Sequence, residues 1–122
     1  MSLVVMETET ANVGSVVNMF RRLGGDPVVS GDPETIASAD KLLLPGVGAF
    51  DAAMASLHGS GLVEVVRSRA SEGVPVLGIC LGMQLLFDSS EEGVAAGLGL
   101  IPGVVRRLPV DSPIGPVGIP HM

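Results

Sequence analysis

The sequence predicts an α/β domain in which helices cover both faces of a doubly wound, mostly parallel sheet. Short apolar runs of strand length alternate with segments whose apolar residues recur every three or four positions, as in βαβ units. Hydrophobic residues make up 47% of the 122, and Gly and Pro number 17 and 9. Because Gly and Pro punctuate Val- and Leu-rich runs, they indicate tight turns in a folded chain rather than disorder. Right-handed crossovers between parallel strands then favour the doubly wound arrangement.

Four apolar runs are predicted to be the strands of this sheet, namely residues 3–6, 27–30, 41–44 and 74–79. The last run is apolar except for Gly78, so we expect it to be buried. Two weaker strand candidates, residues 98–101 and 104–105, follow a polar segment at residues 89–92 that is predicted to be a loop. The Pro- and Gly-rich tail favours edge strands or irregular structure.

Helices are predicted between the strands, because apolar residues recur there on one helical face. The first face is Val13, Val16, Val17 and Phe20, with Asn12 as its candidate N-cap. A short second helix, residues 34–39, follows Asp32-Pro33, which is typical of an N-cap and a first helical position. Two further faces are Phe50, Ala53, Met54 and Leu57, and Leu62, Val65, Val66 and Ala70. Another helix is predicted to start in residues 83–87.

Composition and charge exclude several classes of function. A net charge of −6 disfavours nucleic acid and anionic membranes as partners. No apolar run approaches the roughly 18 residues of a membrane span, and no signal peptide is visible at Met1, so we expect a cytoplasmic protein. A single Cys excludes an internal disulfide and a multi-Cys zinc site. Neither a phosphate-binding P-loop nor a dinucleotide motif occurs, so we predict no metal and no cofactor.

The single cysteine follows the most apolar of the predicted strands. Residues 78–82, Gly-Ile-Cys-Leu-Gly, have a strand before them and a helix after them, as in a nucleophile elbow. Such a turn holds the nucleophile in a strained backbone conformation, and side chains at the flanking glycines would clash. Cys80 would then lie at a helix N-terminus, where the partial positive charge favours a thiolate. The alternative interpretation is a buried, inert core cysteine.

The third predicted strand also leads into a glycine turn, Pro45-Gly46-Val47-Gly48. Sites in doubly wound sheets form at the carboxyl ends of the strands, so this turn and Cys80 are predicted to share one edge. The N–H of Leu81 would point to where an oxyanion forms, and the turn can aim a second N–H at the same point.

These two segments resemble the class I, triad-type glutamine amidotransferases. The residues that carry the resemblance are Pro45-Gly46-Val47-Gly48-Ala49-Phe50 and Gly78-Ile79-Cys80-Leu81-Gly82-Met83-Gln84-Leu85-Leu86-Phe87. Within that family the chain is most similar to the glutaminase subunits of imidazole glycerol phosphate synthase, from histidine biosynthesis. That narrower similarity comes from Asn12-Val13-Gly14-Ser15-Val16, Ser90-Glu91-Glu92-Gly93 and Pro120-His121-Met122. The resemblance covers essentially the whole chain and implies a flavodoxin-like amidotransferase fold.

The resemblance implies a role for each matching residue. Cys80 would attack the side-chain amide of glutamine and form a glutamyl thioester. Gln84 and Glu92 would help to bind glutamine. The oxyanion hole would be formed by backbone N–H groups of Leu81, Gly46, Val47 and Gly48.

A partner is implied as well. Released ammonia would pass to a cyclase subunit, a (β/α)₈ barrel, and Pro120, His121 and Met122 would lie at the interface with that barrel. The family's catalytic His and its orienting Glu come after the Pro-His-Met segment, and the sequence has neither. His58 matches no family position and is predicted to be a solvated helix end. Residues 1–122 are thus expected to be the N-terminal part of a single amidotransferase domain and to be inactive alone. We also expect them to be marginally stable or to self-associate, because apolar sheet surface is left uncovered.

Two other interpretations stay open. The chain could be the amidotransferase subunit of another synthase, such as anthranilate or aminodeoxychorismate synthase, or a catalytically inactive module that docks on a barrel partner. A receiver domain is disfavoured because Leu44-Pro45 stands where a receiver needs an Asp, and a flavodoxin because aromatic residues are nearly absent. Outside the resemblance, Glu91 and the pair Arg106-Arg107 are predicted to be solvated charges.

Overall fold

A computed structural model describes residues 2–8 and 13–108, together with the backbone of residues 111–112 and 115–116. Its elements are β1 Leu3–Met6, α1 Gly14–Arg22, β2 Val28–Ser30, α2 Pro33–Ala37, β3 Lys41–Gly46, α3 Phe50–Gly59, α4 Leu62–Ser71, β4 Val76–Cys80, α5 Leu81–Leu85, β5 Phe87–Ser90, β6 Ile101–Val105, β7 Asp111–Ser112 and β8 Gly115–Pro116. The candidate cap Asn12 and the candidate interface residues Pro120, His121 and Met122 lie outside the described residues.

The central sheet has four parallel strands in the order β2-β1-β3-β4. The chain moves outward from β1 to β2 through α1, and then in the opposite direction to β3 and β4 through α2, α3 and α4. Right-handed crossovers in opposite directions place α1 on one face of the sheet and the other three helices on the other. The predicted doubly wound, parallel architecture is therefore confirmed.

The main core lies between the sheet and the helices α2, α3 and α4. All four residues of the face predicted for α3 are buried there: Phe50, Ala53, Met54 and Leu57. Of the face predicted for α1, only Val17 is buried, while Val16 and Phe20 are half-buried. The α1 side of the sheet is accordingly less completely packed.

Strand β4 differs most from its prediction. It spans Val76–Cys80 rather than residues 74–79, and it is not buried, since Leu77 is 57% exposed. In the described part of the chain β4 pairs only with β3 and forms the edge of the sheet. On the α1 face, a cavity of about 410 Å³ is lined by Phe20, Leu43 and Leu77 among others. One face of this edge strand is therefore open.

Some of the predicted bounds also shift. Strand β3 continues through Pro45 and Gly46, which were expected in the turn, because both pair in register with β4. Helix α2 runs over Pro33–Ala37 instead of residues 34–39, and the carboxylate of Asp32 caps it as predicted, accepting from the Glu34 N–H at 3.4 Å.

The region after Cys80 corrects three further predictions. The helix α5 is Leu81–Leu85 rather than a start in residues 83–87. The segment at residues 89–92 is not wholly a loop, since Ser89 and Ser90 belong to β5, which pairs in parallel with β6. The backbone N–H and C=O groups of this segment are hydrogen-bonded to β6, and the polar side chains give no sign of that pairing. Residues 98–100 are not strand, and β6 begins at Ile101.

The longest described helices, α3 and α4, have ten residues each. Among the described residues, none forms a helix with the length and apolar character needed to cross a membrane.

Candidate active site

The two glycine-containing segments meet at one edge of the sheet. Gly46, the last residue of β3, stands opposite Cys80, the last residue of β4, in the parallel register. The turn at residues 47–48 and the start of α5 therefore leave the sheet side by side. The prediction that these segments share the carboxyl edge of the sheet is confirmed.

Cys80 has an unusual backbone conformation, with φ 57° and ψ −122°. Among the described residues it is the only one other than glycine with a positive φ. Such conformations cost about 1–3 kcal/mol for a residue with a side chain and persist only where surrounding structure imposes them. The predicted strain is confirmed. The alternative of a buried cysteine is wrong, because Cys80 is a free, exposed thiol.

The flanking glycines allow α5 to pack directly on the strands. A Cβ built on Gly82 would overlap the Leu44 carbonyl oxygen and lie 2.7 Å from the carbonyl carbon. A Cβ built on Gly78 would lie 2.7 Å from the backbone nitrogen of Met83. Both distances are well below van der Waals contact, and in each case the obstacle is backbone. Any larger residue would push the start of α5 away from β3 or β4, and Cys80 with it.

The candidate oxyanion groups surround this turn. Leu81 is the first residue of α5, so its N–H has no acceptor within the helix. Gly46 approaches the same helix closely, since a Cβ on it would lie 3.1 Å from the Gly82 nitrogen. Val47 and Gly48 follow as exposed residues beyond the end of β3. The structure thus brings all four candidates to the edge where Cys80 lies.

The two candidate glutamine-binding residues, Gln84 and Glu92, line one cavity of about 440 Å³. Arg106 and Arg107 line it too. Cys80 is not among the lining residues, although Gln84 follows it by only one turn of α5. The structure therefore brings Gln84 and Glu92 together without enclosing the thiol in the same cavity.

The residue before Glu92 is exposed, as predicted for a solvated charge, but it also holds the cavity wall together. The Glu91 N–H donates to the Val105 carbonyl at 2.9 Å, and Oε2 of Glu91 accepts from the Arg107 N–H at 3.1 Å. Nε of Arg106 lies 4.0 Å from the other carboxylate oxygen. Glu91 therefore ties the end of β5 to the end of β6.

Asp51 is a residue that the sequence reasoning missed. It lies in the first turn of α3, and its Oδ2 and Oδ1 accept from the N–H groups of Val94 and Ala95 at 3.0 and 2.9 Å. These two hydrogen bonds, that of Val94 foremost, lower the pKa of the Asp51 carboxyl. In the sequence, a lone Asp in a first helical turn indicates only a favourable helix-dipole interaction.

Neither a general base nor a metal centre is found among the described residues. His58 is exposed in the last turn of α3, as predicted, and His121 lies outside the described part of the chain. Within the described ranges, no group of three or more His, Cys, Asp or Glu side chains is arranged to hold a metal ion.

Comparison with known proteins gives a family and a set of relatives. The family model for Glutamine amidotransferase class-I matches residues 5–111. Proteins named imidazole glycerol phosphate synthase subunit HisH are similar over 98% of this chain: 48% identical in Synechococcus elongatus, 44% in Streptococcus sanguinis and 48% in Lacticaseibacillus casei. The aligned part is 54%, 57% and 57% of these relatives, so the chain spans just over half their length.

Proposed function

The chain belongs to the class I glutamine amidotransferases, and from this membership we propose that it is the glutamine-hydrolysing subunit of a cytoplasmic imidazole glycerol phosphate synthase. The observation that carries the proposal is the elbow at Cys80, an exposed thiol at φ 57° beside the end of β3. The HisH names of its relatives favour this synthase over anthranilate or aminodeoxychorismate synthase. We further propose that residues 1–122 are the N-terminal part of a single amidotransferase domain, a proposal that the greater length of these relatives supports.

The proposed reaction begins at the thiol. The sulfur of Cys80 attacks the side-chain amide carbon of glutamine, a C–S bond forms, and the amide oxygen becomes an oxyanion. N–H groups of Leu81 and of Gly46, Val47 and Gly48 donate to that oxygen. As the intermediate collapses, the amide nitrogen takes up the proton that the thiol lost, the C–N bond breaks, and ammonia leaves. Water then hydrolyses the thioester to glutamate and regenerates the thiol.

The remaining roles are proposed as follows. Gln84 and Glu92, which line one cavity, bind the glutamine substrate. A base outside these 122 residues moves the proton from the thiol to the leaving ammonia, since His58 is exposed at the far end of α3. Ammonia passes to a cyclase subunit with a (β/α)₈ barrel, which docks at Pro120, His121 and Met122.

The proposal is tested by affinity labelling of the protein at the full length that its gene encodes. The reagent is a diazoketone analogue of glutamine. Its diazo carbon takes up the thiol proton and forms a bond to the sulfur of Cys80, and N₂ leaves. We expect one adduct, on the peptide that contains Cys80, with protection by glutamine and no adduct in Cys80→Ser. Iodoacetamide, which needs only an accessible thiol, serves as the control reagent. Labelling of Cys80→Ser, or labelling that glutamine does not slow, contradicts the proposal.

The partner is tested separately in a coupled assay. With glutamine as the nitrogen source, imidazole glycerol phosphate should form from the phosphorylated ribulosyl substrate of an imidazole glycerol phosphate cyclase. Anthranilate should not form when the cyclase is replaced by an anthranilate synthase subunit and its own substrate. If the cyclase binds in a pull-down but glutamine is not consumed, the docking-module interpretation replaces the enzymatic one.

A further inference from the structure

Two loops that carry candidate site residues are joined by one carboxylate. Asp51 follows the proposed oxyanion turn by three residues and opens α3, whose first residue, Phe50, is fully buried. Its two oxygens accept from Val94 and Ala95, which follow the proposed glutamine-binding residue Glu92. The two segments are more than 40 residues apart in sequence, so this contact is purely tertiary.

The loop that carries Glu92 is tight on both sides. Before Glu92, Glu91 is bonded to β6 through Val105 and Arg107. Glu92 itself donates its N–H to Oγ of Ser90 at 3.1 Å, and Ser90 is buried. After it, the Gly93 N–H donates to the Ser90 carbonyl at 3.3 Å. Beyond Gly93, the next two N–H groups are those that Asp51 binds.

Gly93 allows the carboxylate to come this close. A Cβ built on Gly93 would overlap Oδ1 of Asp51 and lie 2.6 Å from Cγ. The absence of a side chain at residue 93 and the carboxylate at residue 51 thus fit one another. This fit provides a second, independent way to disturb the same contact.

Resting on the proposed function, we infer that Asp51 is a positioning residue for glutamine binding, which fixes the Glu92 loop relative to the oxyanion turn. Each carboxylate oxygen accepts one backbone N–H, a geometry that an amide cannot reproduce because its nitrogen donates. Without the Asp51 carboxylate, the Glu92 loop is no longer held at residues 93–95. Glutamine recognition then weakens, while the thiol and its elbow stay as they are.

The test compares Asp51→Asn with Asp40→Asn in the full-length protein. Asp40 is a matched control, since its carboxylate accepts from the N–H of Ser2 at 2.7 Å, at the start of β1 and far from the elbow. We expect Asp51→Asn to raise the half-saturating concentration of the diazoketone analogue about tenfold, the loss of one charged hydrogen bond. Its maximal labelling rate and its iodoacetamide rate should stay at the wild-type values, and Asp40→Asn should change none of the three.

Gly93→Ala is a second variant that disturbs the same contact, from the side of the loop. It should weaken binding of the analogue to a similar degree, and the double variant Asp51→Asn/Gly93→Ala should be no worse than either single variant, because both act on one contact. Equal binding of the analogue by the wild type and Asp51→Asn overturns the inference. So does an iodoacetamide rate that falls in Asp51→Asn as much as analogue binding does, since that result would indicate a structural role alone. Failure of the proposed function looks different, since the wild-type protein itself would then show no labelling that glutamine slows.

Discussion

At the residue scale, Gly82 limits what the elbow tolerates. In Gly82→Ala, the new Cβ would overlap the Leu44 carbonyl of β3. Because the obstacle is backbone, we expect a loss of about 3 kcal/mol or more in the free energy of unfolding, at the upper end for overpacking. The measurement is the urea midpoint of each variant.

The matched control is Gly59→Ala. Gly59 is the last residue of α3, and a Cβ there meets nothing within 4 Å. Alanine should therefore leave the stability unchanged or raise it by about 0.5 kcal/mol, through the smaller entropy of the unfolded chain. Equal midpoints for the two variants would contradict the packing described for the elbow.

The elbow was predictable from sequence, whereas the Asp51 contact was not. Gly78, Cys80 and Gly82 lie within five residues, and the sterics of a strand-to-helix turn act over that distance. The acceptor of the Val94 and Ala95 N–H groups lies 43 and 44 residues before them. No local pattern identifies such a partner, and a first-turn Asp already has a sufficient explanation in the helix dipole.

At the scale of elements, β4 is the edge strand of the sheet that the described residues form, and it has an exposed apolar face. Unpaired strand edges are templates for association with another chain. We expect the 122-residue chain to self-associate as its concentration rises, as the sequence already suggested, and Leu77→Lys to shift it towards the monomer in sedimentation velocity. Since Leu77 is 57% exposed, the substitution should cost little stability.

Leu23→Lys is the control for the effect of an added positive charge. Leu23 is an even more exposed apolar residue, but it lies at the C-cap of α1 and not on a strand. If it suppresses association as strongly as Leu77→Lys, general charge rather than the strand edge is responsible. A wild-type chain that stays monomeric at all concentrations would contradict the expectation altogether.

The elements themselves were predicted unevenly, for physical reasons. The face of α3 was predicted in full because that helix is amphipathic and its neighbours cover it. The prediction that β4 is buried was wrong, because an apolar run shows only the composition of a strand. It does not show which faces of the strand other elements cover. β5 was missed because Ser89 and Ser90 lack strand character, and their structure comes from pairing with Val104 and Val105.

At the scale of the whole molecule, two hydrogen-bonded carboxylates make the free energy of unfolding depend on pH in the acid range. The N–H of Ser2 lowers the pKa of Asp40, and those of Val94 and Ala95 lower the pKa of Asp51, in each case below 3.8. The folded chain therefore binds fewer protons than the unfolded chain. Their stabilisation is complete above pH 3.8 and is lost as the pH falls through the lowered pKa values.

We expect the variant Asp40→Asn/Asp51→Asn to melt below the wild type at neutral pH and to approach it in acid. The measurement is the thermal midpoint as a function of pH. Melting curves whose midpoints stay equally far apart from neutral pH to below pH 3.8 would contradict this assignment.

The register between β3 and β4 makes the candidate site an all-or-none assembly. Gly46 and Cys80 face each other across neighbouring strands, and parallel strands can shift only in steps of whole residues, each about 3.3 Å. A step of one residue would turn Cys80 to the opposite face of the sheet. Sliding of β4 along β3 therefore cannot separate the thiol from the oxyanion donors gradually. Heating should lower the number of molecules with this register, while each molecule that keeps it retains its full reactivity.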